Sequence, residues 1–173
     1  VTIEGAASHA GTTPTALRHD TGLAAAKVNV FLRQLVEKSG GVATVGCIEF
    51  KPNAINVIPS KAVFTVDLRN PDKEKLDNDE KILAAYLKDL AKEDDVKIST
   101  EHLTEFDPVP FDEGIVEKVE KAAKAHGLSV RRITSGAGQD AQMIARICPT
   151  AMIFVPSVKA VSYTHLTLPT TPY

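Results

Sequence analysis

Aromatic residues are scarce in this chain, 5% of 173, and neither sign of charge prevails, the formal net being −2. Together these exclude nucleic acid as the partner. Such binders carry a basic stripe to meet phosphates, and RNA-reading sheets need exposed aromatics for stacking. No apolar run approaches the ~20 residues of a membrane-spanning helix, so no membrane is expected as a partner either. A basic-then-apolar leader is missing, and so is an initiator methionine. The opening "VTIEG" reads as mid-strand, so the chain is expected to be a piece of a longer protein. The two cysteines, Cys47 and Cys148, lie far apart in apolar surroundings. They read as reduced core thiols of a cytoplasmic protein.

What is present is enough for a core, with 43% hydrophobic residues, and an order of elements that can be read. "VTIEGAAS" is a short strand. "PTALRHDTGLAAAKVNVFLRQLVEKSGG" places Leu23, Val28, Phe31, Leu32, Leu35 and Val36 at helical spacing and closes on Gly40 and Gly41. "VATVGCIEF" and "KAVFTVDLR" are β-branched runs joined by the proline-bearing loop "KPNAINVIPS". "KEKLDNDEKILAAYLKDLAKE" is a second amphipathic helix, with Leu76, Ile82, Leu83, Tyr86, Leu87 and Leu90 on one side, and "VKISTEHLTEF" is a fourth strand.

Strand, helix, strand, strand, helix, strand over residues 1–106 predicts an α+β, ferredoxin-like βαββαβ sandwich, both helices on one face of an antiparallel sheet. The other face, or an edge, is left for a partner. The prolines of "DPVPF" mark a boundary. Residues 107–159 then read as helix "GIVEKVEKAAKAHG", strand "LSVRRITS", a glycine turn, short helix "DAQMIARI" and strand "TAMIFVP". That rhythm belongs to a parallel α/β architecture, here an incomplete one. Residues 160–173, including "VSYTHLTLPTTPY" from Val161 on, are rich in Thr and Pro and read as a non-native tail.

Four clusters carry chemistry, and each has a plainer reading beside it. His9 in "SHAGTTP", with Arg18 in "LRHD", sits among small residues, as an imidazole does where something must come close. His-Ala-Gly alone, however, suits a structural turn. Asn56 in "NAINVIPS" is a substrate-facing amide or a turn residue. Arg69 in "VDLRNP" is an anion clamp or the partner of Asp67 or Asp72. "SGAGQDAQ", from Ser135 to Gln142, puts Gly136, Ala137 and Gly138 between a strand and a helix start. There the backbone can approach a ligand closely, or simply connect. In the expected sheet the first and third strands are neighbours, which gathers His9, Asn56 and Arg69. Imidazole, amide and guanidinium suit an oxyanion and a carboxylate. A nucleophile and metal-ligand spacing are both missing.

"GAASHAGTTPTALRHDTGLAAA", "NAINVIPSKAVFTVDLRNP" and "SGAGQDAQMIARICPTAMIFVPS" closely resemble, in order and spacing, the dinuclear-metal amidohydrolases of the hydantoinase/carbamoylase type. These are the N-carbamoyl-L-amino-acid hydrolases, β-ureidopropionases and allantoate amidohydrolases. The resemblance implies that residues 1–106 are a lid and dimerisation domain and that 107–159 return to a metallopeptidase-like catalytic domain. It implies a metal-dependent hydrolase of linear C–N bonds, acting on a small carboxylate-bearing ureido substrate. Its cofactor would be two divalent ions, zinc or manganese, with cobalt or nickel as further choices. It assigns His9 to polarising the scissile carbonyl across a homodimer interface. Asn56 and Arg69 would hold the substrate, and Ser135, Gly136, Ala137 and Gly138 would form a loop beside it. The chain departs from the pattern at Gln139, where His is usual, and at Thr15, where Met is usual. Its metal ligands would precede Val1 or fall where Tyr163 follows Ser162, so no metal is expected in this fragment, which alone would be inactive. Two other readings stand beside this one: a non-catalytic dimerisation or small-molecule-binding module, and a related metallo-aminoacylase or dipeptidase.

Overall fold

The computed structural model describes residues 1–154 and divides the chain into two compact units, Val1–Pro108 and a second from Val109. The expected tail, the position of Tyr163 and the end of "TAMIFVP" lie outside the described residues.

The first unit is mixed α and β. Its elements are β1 (Thr2–Glu4), β2 (Ser8–His9), α1 (Thr21–Ser39), β3 (Val42–Thr44), β4 (Ile48–Lys51), β5 (Val57–Ile58), β6 (Lys61–Phe64), β7 (Asp67–Arg69), α2 (Lys73–Glu93) and β8 (Lys97–Ser99). One four-stranded sheet has the order β4-β6-β1-β8, antiparallel throughout. Two further pairs, β2-β5 and β3-β7, extend it. Register shows how. Glu4 faces Lys61 and Ser8 faces Ile58, so residues 5–7 oppose residues 59–60. Likewise residues 45–47 oppose residues 65–66 between the β4-β6 and β3-β7 ladders. Each is a one-residue excess that interrupts pairing and bends the strand. The long strands expected at "VATVGCIEF" and "KAVFTVDLR" are therefore each broken in two, and Cys47 N–H turns to the Thr65 hydroxyl at 3.2 Å.

Helix α1 begins later than the expected stretch, which opens at Pro14. Thr15–Leu17 form a separate 3-10 turn, and Asp20 caps α1 by accepting from the N–H groups of Gly22 and Leu23 at 2.9 and 3.0 Å. Gly40, at φ 81°, ends it in the left-handed conformation. Ala24, Ala25, Val28 and Leu32 are buried with Ile3, Ala62, Phe64, Leu87, Leu90 and Val96 in one core between the helices and one sheet face. The alanines let α1 lie close to the sheet, and Leu23, expected inside, is half-exposed. Phe31 of α1 stacks on Tyr86 of α2 with centroids 3.7 Å apart, and Lys27 ties α1 to Glu93 and Asp94 at the end of α2. On β6 the buried Ala62 and Phe64 alternate with exposed Val63, so the opposite sheet face is open among the described residues.

The second unit holds α3 (Glu113–Ala125) and α4 (Asp140–Ile144). The strands expected at "LSVRRITS" and "TAMIFVP" do not form among the described residues, because a strand needs a paired neighbour for its N–H and C=O groups. Instead Arg132 pairs with Glu113 and Glu120 of α3. Leu128, Ile133, Ile147 and Ile153 are exposed there. Both cysteines are free, as expected, but both are exposed rather than in the core. Cys47 sits at the strand break and Cys148 beyond α4, where no packed layer covers them among the described residues.

Candidate functional site

His9 ends β2, opposite Val57 of β5, on the extension that runs from β1 and β6 past the register break. The next residue, Ala10, donates its N–H to the carbonyl of Asn56 at 3.0 Å. The fold thus brings His9, at the end of β2, beside Asn56, in the turn just before β5, and both are exposed.

Beyond His9 the chain folds into a tight turn. Its carbonyl accepts from Thr12 and Thr13 N–H at 3.4 and 3.1 Å, and its ring Nδ1 accepts from Gly11 N–H at 3.1 Å. An Nδ1 that accepts leaves the proton of the neutral ring on Nε2, which is then a donor. Gly11 has a local reason here: a Cβ on it would lie 3.3 Å from Cε1 of the ring. Arg18 closes the turn from outside, donating through Nε to the Thr13 carbonyl at 2.9 Å and through Nη2 to the Ala10 carbonyl at 2.8 Å. The sequence placed Arg18 beside His9 without giving it a task; a guanidinium shortly after a Gly-Thr-Thr-Pro turn was the available signal.

Arg69 ends β7, opposite Val42, and so lies in a different two-stranded ladder from His9. The expected gathering of all three groups reduces, in the sheet pairings, to His9 and Asn56. Arg69 is held by Asp67, Nε to Oδ1 at 2.7 Å, with Nη2 on Oδ2 as the second tooth of the fork. This hydrogen bond holds the Asp67 carboxyl below the usual aspartate range and raises the guanidinium further. The plainer alternative for Arg69, pairing with Asp67, is thus realised in the fold. Gly41 lies against this strand end, where a Cβ would come within 2.6 Å of the Arg69 carbonyl oxygen.

In the second unit Ser135 is half-buried, and Gly136, Ala137 and Gly138 are exposed. The Ser135 hydroxyl bridges Ala137, accepting from its N–H and donating to its carbonyl, both at 3.3 Å. A Cβ at Gly136 would meet nothing within 4 Å, and one at Gly138 only ordinary contact at 3.8 Å. Neither glycine is therefore demanded by packing among the described residues. Helix α4 is only five residues long, and Gln142 Oε1 already accepts from Gln139 N–H at its start. The free helix N-terminus expected at this loop is thus a short, self-capped turn. Among the described residues no three His, Cys, Asp or Glu side chains cluster to hold a metal ion, and no helix is long and apolar enough to cross a membrane.

The family model for "Peptidase family M20/M25/M40" matches residues 4–166. The N-carbamoyl-L-amino-acid amidohydrolase of Rhizobium meliloti is 39% identical over 164 residues, 94% of this chain and 39% of that protein. The allantoate amidohydrolase of Escherichia coli is 35% identical, over 94% of this chain and 40% of its own length. A solved amidase of the hydantoinase/carbamoylase family from Burkholderia multivorans superposes with a TM-score of 0.86 at 37% identity, covering 90% of this chain and 38% of that one. The chain thus spans about two fifths of the length of the relatives it matches.

Proposed function

Because this chain belongs to the peptidase family M20/M25/M40, we propose that it supplies the lid and a returning part of the catalytic domain of an amidohydrolase. Its substrates are N-carbamoyl amino acids or related ureido acids such as allantoate. The names of the relatives support that class of C–N bond. The sheet order β4-β6-β1-β8, with α1 and α2 packed on one face, supports reading residues 1–106 as a ferredoxin-like βαββαβ lid.

One observation carries the catalytic part: His9 is exposed, paired by its strand to the Asn56 loop, and has its Nδ1 occupied from within the turn. When water attacks a carbamoyl carbon, the carbonyl oxygen gathers negative charge, and a fixed Nε2–H aimed at it stabilises that charge. The exposure of His9 suits a group delivered to a second copy's site, so the lid is assigned to a homodimer. Asn56 and Arg69 hold the substrate, the arginine by its carboxylate. The Asp67 pair does not prevent this, since a half-exposed ion pair is worth only ~1 kcal/mol or less and exchanges readily. Ser135, Gly136, Ala137 and Gly138 form a loop open to a close neighbour. The two divalent ions that the resemblance implies would be held by residues outside those described, among which no cluster of three His, Cys, Asp or Glu side chains forms; when bound they would supply an activated water. Two free, exposed cysteines suit a reducing compartment, the cytoplasm.

The test is a substrate panel on the enzyme that carries this chain, with an N-carbamoyl-L-amino acid, allantoate and a dipeptide. Turnover of a carbamoyl or ureido acid, with little of the dipeptide, is expected. Turnover of the dipeptide alone would replace this reading with a dipeptidase.

A further inference from the structure

We propose that Arg18 is a positioning residue for His9, fixing which ring nitrogen carries the proton through the peptide unit that joins Ala10 to Gly11. The Ala10 carbonyl, which Arg18 Nη2 holds at 2.8 Å, and the Gly11 N–H, which meets His9 Nδ1 at 3.1 Å, are the two polar ends of one planar group. In a trans peptide they point in opposite directions, so gripping the oxygen on one side aims the N–H on the other. The grip is charge-assisted and also polarises the peptide, which strengthens its N–H as a donor. Nε holds Thr13 O at 2.9 Å at the same time, so one rigid fork pins both ends of the turn whose middle presents the N–H. An arginine that only neutralised charge would seek a carboxylate; this one uses two adjacent donors on two backbone carbonyls. The chain of contacts runs guanidinium, Ala10 carbonyl, Gly11 N–H, imidazole Nδ1. Its effect is to keep the proton on Nε2, the nitrogen that the turn leaves for a ligand.

The functional consequence rests on His9 acting on a substrate carbonyl; the proton's location does not. The experiment is therefore spectroscopic. Two-bond ¹H–¹⁵N correlation spectra of the labelled protein report the tautomer of His9, assigned by its loss in His9→Gln. In the wild type the Nε2–H form is expected to dominate. In Arg18→Gln the ratio is expected to move toward Nδ1–H by about threefold or more, the size a net hydrogen bond carries. Arg18→Lys, which reaches one carbonyl at a time, should shift it in the same direction by less, and it gives the answer if the glutamine variant does not fold. A merely structural arginine would lower the melting temperature and leave the ratio unchanged. An unchanged ratio in the folded variants, or a wild type dominated by Nδ1–H, overturns the proposal. If the ratio shifts while hydrolysis is unaffected, the Arg18 assignment stands and the catalytic reading of His9 falls.

Discussion

The backbone N–H of Gly11 donates to Nδ1 of His9 across 3.1 Å. The glycine two residues after this histidine is thus explained first by the turn, whose backbone passes close to the ring. The same bond gives the ring a defined donor edge, which is what makes His9 a candidate for charge stabilisation rather than a turn residue alone.

The second named pair, Arg69 with Asp67, predicts a pH effect. The Asp67 carboxyl is held below its ordinary value by the Arg69 hydrogen bond. A depressed folded value means that the stabilisation is present above the unfolded carboxyl's value and is lost as pH falls through the folded one. The two side chains are 47% and 48% exposed, so the contribution is below ~1 kcal/mol. Carboxyl titration by NMR should place Asp67 below the ordinary aspartate midpoint, and Arg69→Gln should return it there. An unmoved midpoint in that variant would contradict the pairing.

Replacing Arg69 with Lys keeps the charge but removes the planar fork. For a carboxylate-bearing ureido substrate we expect KM to rise about tenfold, on the order of one lost charged hydrogen bond, with kcat changed far less. Steady-state kinetics decide this, and an unchanged KM removes Arg69 from the substrate site.

Gly41 lies against the same strand end, a Cβ there coming within 2.6 Å of the Arg69 carbonyl oxygen and 3.1 Å of Asn70 Nδ2. Gly41→Ala must shift backbone, and a cost of ~1–3 kcal/mol is expected in denaturant unfolding. A variant as stable as the wild type would show that this close approach is not maintained.

In the core, Leu32 is 1% exposed and packs between sheet and helices. Leu32→Ala is expected to destabilise the protein by ~2–5 kcal/mol, read from the same unfolding curves. A loss below about 1 kcal/mol would contradict the packing described.

Much of the first unit was legible because its signals are local. Helix α2 runs over Lys73–Glu93, the stretch its apolar spacing marks, and Asp72, accepting from Glu74 and Lys75 N–H, supplies its cap. The breaks at residues 45–47 and 5–7 were not legible, because a one-residue excess is a property of two strands compared, visible only once they pair. Leu23 was misplaced because a helical stripe gives a face, whereas Ala24 and Ala25, small enough for close approach, decide which edge of that face is covered. The strands expected after Gly127 carry β-branched residues, but propensity alone cannot form a ladder without a neighbour. At the site, residue types marked His9, Asn56 and Arg69. The tasks of Gly11 and Arg18 became visible only with the backbone of the turn.

The most direct measurement is the rate of hydrolysis of an N-carbamoyl-L-amino acid by the enzyme that carries this chain, with and without His9→Ala. The account predicts a kcat lower by ~10²-fold or more, as for removal of an oxyanion donor, with KM little changed. A loss of less than about threefold would place His9 outside the chemistry, leaving its imidazole as a fixture of the turn that Gly11 and Arg18 hold.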